Sequence, residues 1–354
     1  MMLIVMAAGT FDVQAQPSGY SYYKTVTVNA AQVSGTQTNF PVLVSFSDSN
    51  LRSVANGGNV QSSSGYDIVF TNFDGSSTLD HQIESYDPTT GTLVAWVRVP
   101  SLSGTVNTDL RLYYGNSSVS SSQSSAATWS SDFMAVYHFN NTVNDATANT
   151  NNLTDNSTGT LNTGKIGAAR DLNNSTNIAS NQAGQYLQMP NGMFSGVGNF
   201  TFSGWVLMDR VDTNWERVFD FGQNNTSYFF FTTSSGTGNP SDTRARITTS
   251  GGGGEQGPII TNTTAALGQW VHWAVVLDDA ANSITVYRNG VLYGSATNVT
   301  LNLNSLEPSS ANYLGRSNYD ADNLIDAKFD EIRLAQTNLS AGWITTEYNN
   351  QNSP

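Results

Sequence analysis

The sequence predicts an all-β protein built as two antiparallel β-sandwiches, and three observations predict it. Only 12% of the 354 residues are charged while Gly, Ser, Thr and Asn crowd the connections, the composition of turns between strands. Val, Ile, Phe, Tyr and Trp recur in short runs between those turns, some alternating with polar residues and some continuously apolar, as half-buried and fully buried strands do. A chain of 354 residues is also longer than one typical domain, and each half is large enough to bury its own core.

In the first half, Lys24 to Val28 alternates, Phe40 to Phe46 is apolar, and Asp67 to Thr71 follows a Ser/Gly turn. Gln82 to Tyr86, Leu93 to Val99 and Leu110 to Tyr114 continue at sandwich spacing, and Pro100 stops a strand because it has no N–H for the ladder. Residues 117–131 are dominated by serine, which buries too little apolar surface to order itself, so they read as a linker between a first sandwich at 16–116 and a second at 132–350. The second series runs through Ala135 to Phe139, Tyr186 to Met189, Phe200 to Val206, Val218 to Phe221 and Ser227 to Thr232. It ends with Trp270 to Val276, Ser283 to Tyr287 and Phe329 to Leu334. Asn289-Gly290 marks a two-residue hairpin. A last helical turn is expected only around Trp343 to Tyr348.

Met2 to Gly9 is apolar and Val13-Gln14-Ala15 before Gln16 has the form of a signal-peptidase site, so residues 1–15 read as the remnant of an export signal without its basic start. The expected location is extracellular or on a bacterial cell surface. No stretch approaches the ~20 apolar residues of a membrane span, so no membrane insertion is expected. The net charge of −13 repels phosphate backbones, and no basic stripe offsets it, which argues against nucleic acid. The absence of cysteine excludes disulfides, thiol nucleophiles and thiolate metal sites together.

Two resemblances follow from the residues. Tyr22-Tyr23-Lys24, Phe40 to Val44, Gly65-Tyr66-Asp67-Ile68, Leu79 to Glu84, Trp96 to Pro100 and Tyr113 to Asn116 resemble the bacterial domain of unknown function 2341, which brings no activity with it. Tyr137-His138-Phe139, Asp145 with its Asn-rich turn, Gly164 to Ala169, Phe200 to Val206, Trp270-Val271-His272, Val286 to Gly290 and Phe329 to Arg333 resemble the laminin G-like branch of the concanavalin A-like lectin/glucanase superfamily. That resemblance implies a jelly roll for the second sandwich. Arg217 to Gly222, Arg244 to Gln256 and Leu314 to Ser317 are similar to a subgroup appended to bacterial glycoside hydrolases of plant polysaccharides, which implies glycan recognition by analogy. The chain departs from the pattern at Asn173-Asn174 and Ala148-Asn149-Thr150, where family members more often carry Gly.

Catalytic relatives of this fold carry a Glu-x-Asp-x-x-Glu strand, whose alternation sets two carboxylates on one face at glycosidase spacing. This chain has six glutamates and no two stand so, which leaves hydrolase or lyase action, with Glu216 or Glu255 as its carboxylate, as the last of three readings. Trp215, Tyr228 and Tyr319 flank turns and offer ring faces for sugars, whereas Trp205, Trp270 and Trp273 sit in regular strands and belong to the core. Arg244, Arg246, Glu255 and Gln256 surround the tetraglycine Gly251 to Gly254, which lacks the Lys-Ser/Thr of a phosphate loop but brings donors and acceptors to a turn. With Arg217 and Arg316 from the resembling segments they complete the ligand-binding set. His81, His138 and His272 are far apart and read as packing residues.

The resemblance also implies one structural Ca²⁺ held by Asp145, Asp171 and Asp330, with carbonyls supplying further oxygens. The solvent-facing strand pair Asp330-Glu331 is the plain alternative. The first expectation for function is a secreted carbohydrate-binding protein that recognises a polysaccharide or surface glycan. The second is a non-catalytic adhesin segment of a larger surface protein with further domains.

Overall fold

The computed structural model of the chain describes residues 16–211, 214–236 and 240–354. The export signal read at residues 1–15 lies outside the described residues. Strands dominate, in two antiparallel sandwiches with one helix at the C-terminal end.

In the first sandwich, Tyr22–Val28, Thr108–Tyr114, Val69–Asn72 and Thr78–Leu79 form a four-stranded sheet in that order. Gln37–Ser47, Thr92–Leu102 and His81–Asp87 form the facing three-stranded sheet. The period of two fills the core: Phe40, Val42 and Val44 point in, against Val97, Leu110, Leu112 and Phe70. Their neighbours Leu43, Val94 and Trp96 point out, and they too are buried. A run apolar on both faces marks a sheet covered on both faces. The free edge of Gln37–Ser47 is blunted by Pro41 and by Asn350, whose amide takes both main-chain groups of Leu43 (N–H to Oδ1 2.7 Å, Nδ2 to carbonyl 3.1 Å).

The second sandwich packs a seven-stranded sheet against an eight-stranded one. The first runs Ile259–Thr263, Ser241–Thr248, Tyr228–Ser235, Phe219–Gly222, Tyr313–Leu314, Tyr186–Gln188, Thr154–Asn156. The second runs Gly159–Leu161, Ala169–Leu172, Ala327–Ala335, Phe200–Met208, Trp270–Asp278, Ser283–Arg288, Val291–Thr297, with Phe133–Tyr137 also paired to Ala327–Ala335. Phe219, Phe221, Phe229 and Phe231 meet Phe202, Trp273, Val275 and Phe329 between them. The hairpin at Asn289 (φ 51°) and Gly290 (φ 75°) is the two-residue turn read from the sequence. Where family members more often carry Gly, Thr150 adopts a left-handed φ of 56°, and the Asn174 side chain bridges the main chain of Gln185 and Ile325.

A bulge in Ala327–Ala335 governs what covers the eight-stranded sheet. Glu331 (φ 51°) is the extra residue opposite Gly204, where a Cβ would lie 2.5 Å from Ile332 and 3.0 Å from the Glu331 carbonyl, so only Gly fits. The bulge turns Asp330 and Glu331 together away from the core, followed by Arg333, while Phe329, Ile332 and Leu334 point in. None of the three polar side chains reaches water, so the pair is not the solvent-facing one allowed by the sequence.

Two layers cover them. The helix Ala341–Asn352, capped by Ser340, is longer than the single turn expected and sets Glu347 against His272 (3.0 Å) and Gln351 against the Trp205 indole N–H (2.6 Å). Beside it the outer face of the three-stranded sheet docks, with Leu43, Val94 and Trp96 against Trp129, Phe133, Val136 and Ile166. The serine-rich stretch is a strap at its end, since Ser124 Oγ accepts from Ile83 N–H (2.9 Å), Ser125 N–H bonds the His81 carbonyl (2.8 Å) and Trp129 donates to Gln82 (2.7 Å).

Charges fill the middle of this junction. The Arg333 guanidinium lies 4.3 Å from the Trp96 ring centre and contacts Glu331 (3.1 Å) and Glu347 (3.6 Å). Burial pushes Glu347 up, yet Arg333 and His272 hold it down at about 2. His138 bonds Glu331 through Nδ1 (2.7 Å), and Glu84 of the first sandwich accepts from the Trp96 indole (2.9 Å).

Burial, then Glu331, raises the Glu84 carboxyl to about 7. Burial alone would lower His138, but Glu331 and Glu84 raise it. For a carboxyl raised in the folded state the penalty is absent below its ordinary value, grows as pH rises, and is complete above about 7; a raised histidine stabilises fully below its ordinary value and loses that contribution as pH rises. Both trends lower stability between about pH 5 and about pH 8. Glu84→Gln keeps a neutral acceptor for Trp96, so it should match the parent near pH 5 and exceed it near pH 8 by about 1–3 kcal/mol in denaturant melts. Identical pH slopes in the two proteins would contradict this.

Candidate functional site

With one sheet of the second sandwich covered outside, the outer face of the seven-stranded sheet is the one left open. Arg246, Phe230, Asp220, Tyr313 and Gln188 stand in register across five of its strands on that face. Their neighbours Ile247, Phe229, Phe221, Leu314 and Leu187 point into the core. Three loops rise over the row: the approach to Phe219–Gly222 carries Trp215 and Arg217, the Gly-rich turn carries Gly252 and Glu255, and the segment after Tyr313–Leu314 carries Arg316 to Asp322.

Together they enclose a cavity of about 380 Å³ lined by Trp215, Arg217, Tyr228, Arg244, Glu255 and Tyr319, six of the nine residues expected to bind ligand; Gly252 and Asp322 complete its wall. Trp215 holds a left-handed φ of 59°, a conformation that costs a non-glycine residue about 1–3 kcal/mol and persists where the surroundings enforce it. The guanidinium carbons of Arg244 and Arg217 lie 4.8 and 5.2 Å from its ring centre.

Arg217 is the buried post of the site. It stacks 3.9 Å from the Phe230 ring centre and contacts Asp322 (3.1 Å) and Asp220 (3.6 Å). Asp220 also accepts from the Asn318 main chain (3.0 Å) and side chain (2.8 Å). Burial pushes Asp220 up to about 6, against the pull of Arg217 and Asn318, and burial likewise raises Asp322. The Tyr228 hydroxyl donates to Glu255 (2.7 Å) and lies 3.2 Å from that of Tyr319. Burial and these two bonds raise Tyr228 above the ordinary phenol range, so it stays a donor. A Cβ on Gly252 would lie 3.8 and 4.0 Å from the Tyr319 and Tyr228 hydroxyls, at the mouth of the cavity.

The other three expected ligand residues lie outside the cavity. Arg246 donates to the carbonyls of Glu255 and Gly257 and pins the Gly-rich turn. Gln256 is bonded to Thr300, and Arg316 stacks on Tyr186 and Tyr313 farther along the sheet. Gly252 belongs to the tetraglycine read from the sequence, and Asp220 to the resembling stretch Arg217 to Gly222, but neither aspartate was named as a site residue; Asp322 carries no signal there beyond its nearness to Tyr319. Glu216 is buried 3.6 Å from Arg210 and is not part of the cavity wall.

The three aspartates expected to share calcium do not come together. Asp145 accepts from Val136 N–H (3.0 Å), Thr147 N–H (2.9 Å) and Asn151 N–H (2.9 Å), closing its own turn. Asp171 faces Lys328 (3.9 Å), and Asp330 accepts from Ile166 N–H (2.8 Å) at the junction. Among the described residues, the group of three side chains of metal-ligating type within 4.8 Å is Glu84, His138 and Glu331, which are engaged with one another, Trp96 and Arg333. The histidines are buried in packing contacts: His81 bonds the Leu79 carbonyl (3.1 Å), and His138 and His272 serve the junction. Trp205 and Trp273 are core as expected, while Trp270 is only partly buried.

Two family models agree with this architecture. Residues 181–345 match the Laminin_G_3 family, described as the concanavalin A-like lectin/glucanases superfamily, and residues 64–155 match DUF2341, a domain of unknown function. The second sandwich is therefore a concanavalin A-like domain, and the DUF2341 match crosses the strap to include both Glu84 and His138. No curated protein matches the chain. Among solved structures, domain 4 of AbnA, a GH43 extracellular arabinanase from Geobacillus stearothermophilus solved with arabinotriose, is 23% identical with a TM-score of 0.47 over 60% of this chain and 97% of its own. The binding domain of botulinum neurotoxin serotype D/C VPI 5993 is 12% identical with a TM-score of 0.46 over 63% of this chain and 53% of its own, so the chain spans about half that domain.

Arg217 balances two buried carboxylates, and removing one partner of such a group leaves uncompensated charge. Arg217→Met should cost about 3–5 kcal/mol near pH 8 and clearly less near pH 5, where Asp220 takes up a proton. Urea melts at the two pH values check it; an equal loss at both would mean that Arg217 acts through packing alone.

Proposed function

We propose that this chain binds a polysaccharide or surface glycan outside the cell, reading it with the cavity on the outer face of its concanavalin A-like domain. The observation that carries the reading is the convergence of Trp215, Tyr228, Tyr319 and Glu255 around one cavity, held by a buried arginine. A saccharide presents hydroxyls, which need donors and acceptors fixed in advance, and C–H faces, which need rings. The Tyr228–Glu255 bond and the Arg217 stack fix these groups before ligand arrives, which reduces the ordering cost of binding. The apolar stretch at Met2 to Gly9, followed by Val13-Gln14-Ala15 in the form of a signal-peptidase site, supports the extracellular placement.

The sugar is read as uncharged. Arg217 is paired with Asp220 and Asp322, Arg244 with Asp242 (2.8 Å) and Arg246 with Glu255 (3.3 Å), so an anionic sugar would have to displace a protein carboxylate. The net charge of −13 repels acidic polymers at longer range as well. The carboxylates of the site are engaged in these pairs, which supports binding without turnover.

A second reading, a structural segment of a larger surface protein, is favoured by the buried junction, where Leu43, Val94 and Trp96 of the first sandwich pack on the second and Arg333 lies over Trp96. Calorimetric titration of the purified chain against neutral arabinan, xylan and galactan and acidic polygalacturonate and alginate separates the two. At least one neutral polymer should bind and the acidic ones should not. Gly252→Leu, in a short 3-10 turn and without a left-handed φ, should reduce binding by more than roughly tenfold while leaving the melting temperature near the parent's. Absence of binding across the panel would favour the structural reading.

A further inference from the structure

The outer face of the seven-stranded sheet carries a second cluster of rings that the cavity does not use. Tyr186 and Tyr313 meet edge to face with ring centres 5.6 Å apart, and the Arg316 guanidinium lies 4.7 Å from each ring centre. All three side chains are partly exposed. Tyr313 stands in the same cross-strand row as Phe230, on which Arg217 stacks, with only Asp220 between them. At the usual strand spacing the two rings are about 10 Å apart, and the strands of Tyr186 and Arg244 about 19 Å apart.

One loop serves both clusters. Arg316 caps the tyrosine pair, Asn318 roofs Asp220 in the gap, and Tyr319 enters the cavity, while Ser317 between them is buried on Asp322 (2.7 Å). The face between the clusters is thus a continuous floor of amide, phenol and guanidinium groups running across the strands.

We infer that the ligand is a glycan chain lying across the strands, with its main contact in the cavity and a second contact on Tyr186, Tyr313 and Arg316. This rests on the glycan reading of the cavity and adds a second subsite and a minimum length to it. A ring pair stiffened by a guanidinium supplies apolar area for a sugar face at little ordering cost, and the arginine's remaining N–H groups donate to hydroxyls.

The test is a calorimetric length series of neutral arabino-, xylo- and galacto-oligosaccharides, from the disaccharide upward, on the full chain. Affinity should rise with length by roughly tenfold before levelling off. Tyr313→Ala should remove that rise and leave the affinity of the shortest ligand unchanged. Tyr186→Ala should do the same and is the fallback if Tyr313→Ala does not fold, since its strand lies beside the edge strand Thr154–Asn156 while that of Tyr313 is farther inside the sheet. Length-independent affinity, or a rise that survives Tyr186→Ala, overturns the second subsite while leaving the cavity reading intact. Failure of every length to bind overturns both.

Discussion

Everything in this molecule follows from how the outer face of the eight-stranded sheet is covered. The bulge at Glu331 turns Asp330 and Glu331, followed by Arg333, away from the sandwich core, so that face cannot be left as a bare apolar surface or as a simple solvated one. The C-terminal helix brings Glu347, the first sandwich Glu84 and Trp96, and the strap Trp129 to meet these groups, beside His272 of the same sheet. Once they dock, one outer face of the second sandwich is used for support and only the other is open for ligand.

Two buried arginines hold the two sides, and they are built alike. Arg333 lies over Trp96 and between Glu331 and Glu347; Arg217 lies over Phe230 and between Asp220 and Asp322. Each planar guanidinium stacks on a ring while its edge meets carboxylates, which suits arginine and not lysine. Such pairs contribute little net stability because desolvation offsets the attraction, but they tolerate only one arrangement of their neighbours. At the junction that selectivity fixes how the sandwiches dock. In the cavity it fixes the floor beneath Trp215.

Much of this was legible in the residues. Period-two patterning located the strands, and Trp215, Tyr228 and Tyr319 stood out because they interrupt turn-rich stretches where a ring has no core to fill. The strap at 117–131 was not legible as ordered structure, because its order comes from serine hydroxyl and main-chain bonds to His81 and Ile83, which composition cannot show. Arg246, on the strand before the Gly-rich turn, and Gln256, just after that turn, point to carbonyls and to Thr300, a matter of side-chain direction and not of spacing. The aspartates at 145, 171 and 330 show the same limit, since the family resemblance places them near the strands named but does not say what their oxygens bond. The bulge at Glu331 has no sequence mark of its own, yet it decides which face stays open.

The most direct measurement is a crystal structure of the full chain soaked with a neutral oligosaccharide that binds in solution. The account predicts sugar density on the outer face of the seven-stranded sheet, seated against Trp215 and Tyr228 and extending over Asn318 toward Tyr313. Density on the first sandwich, or at the edge of either sandwich with this face empty, would contradict it.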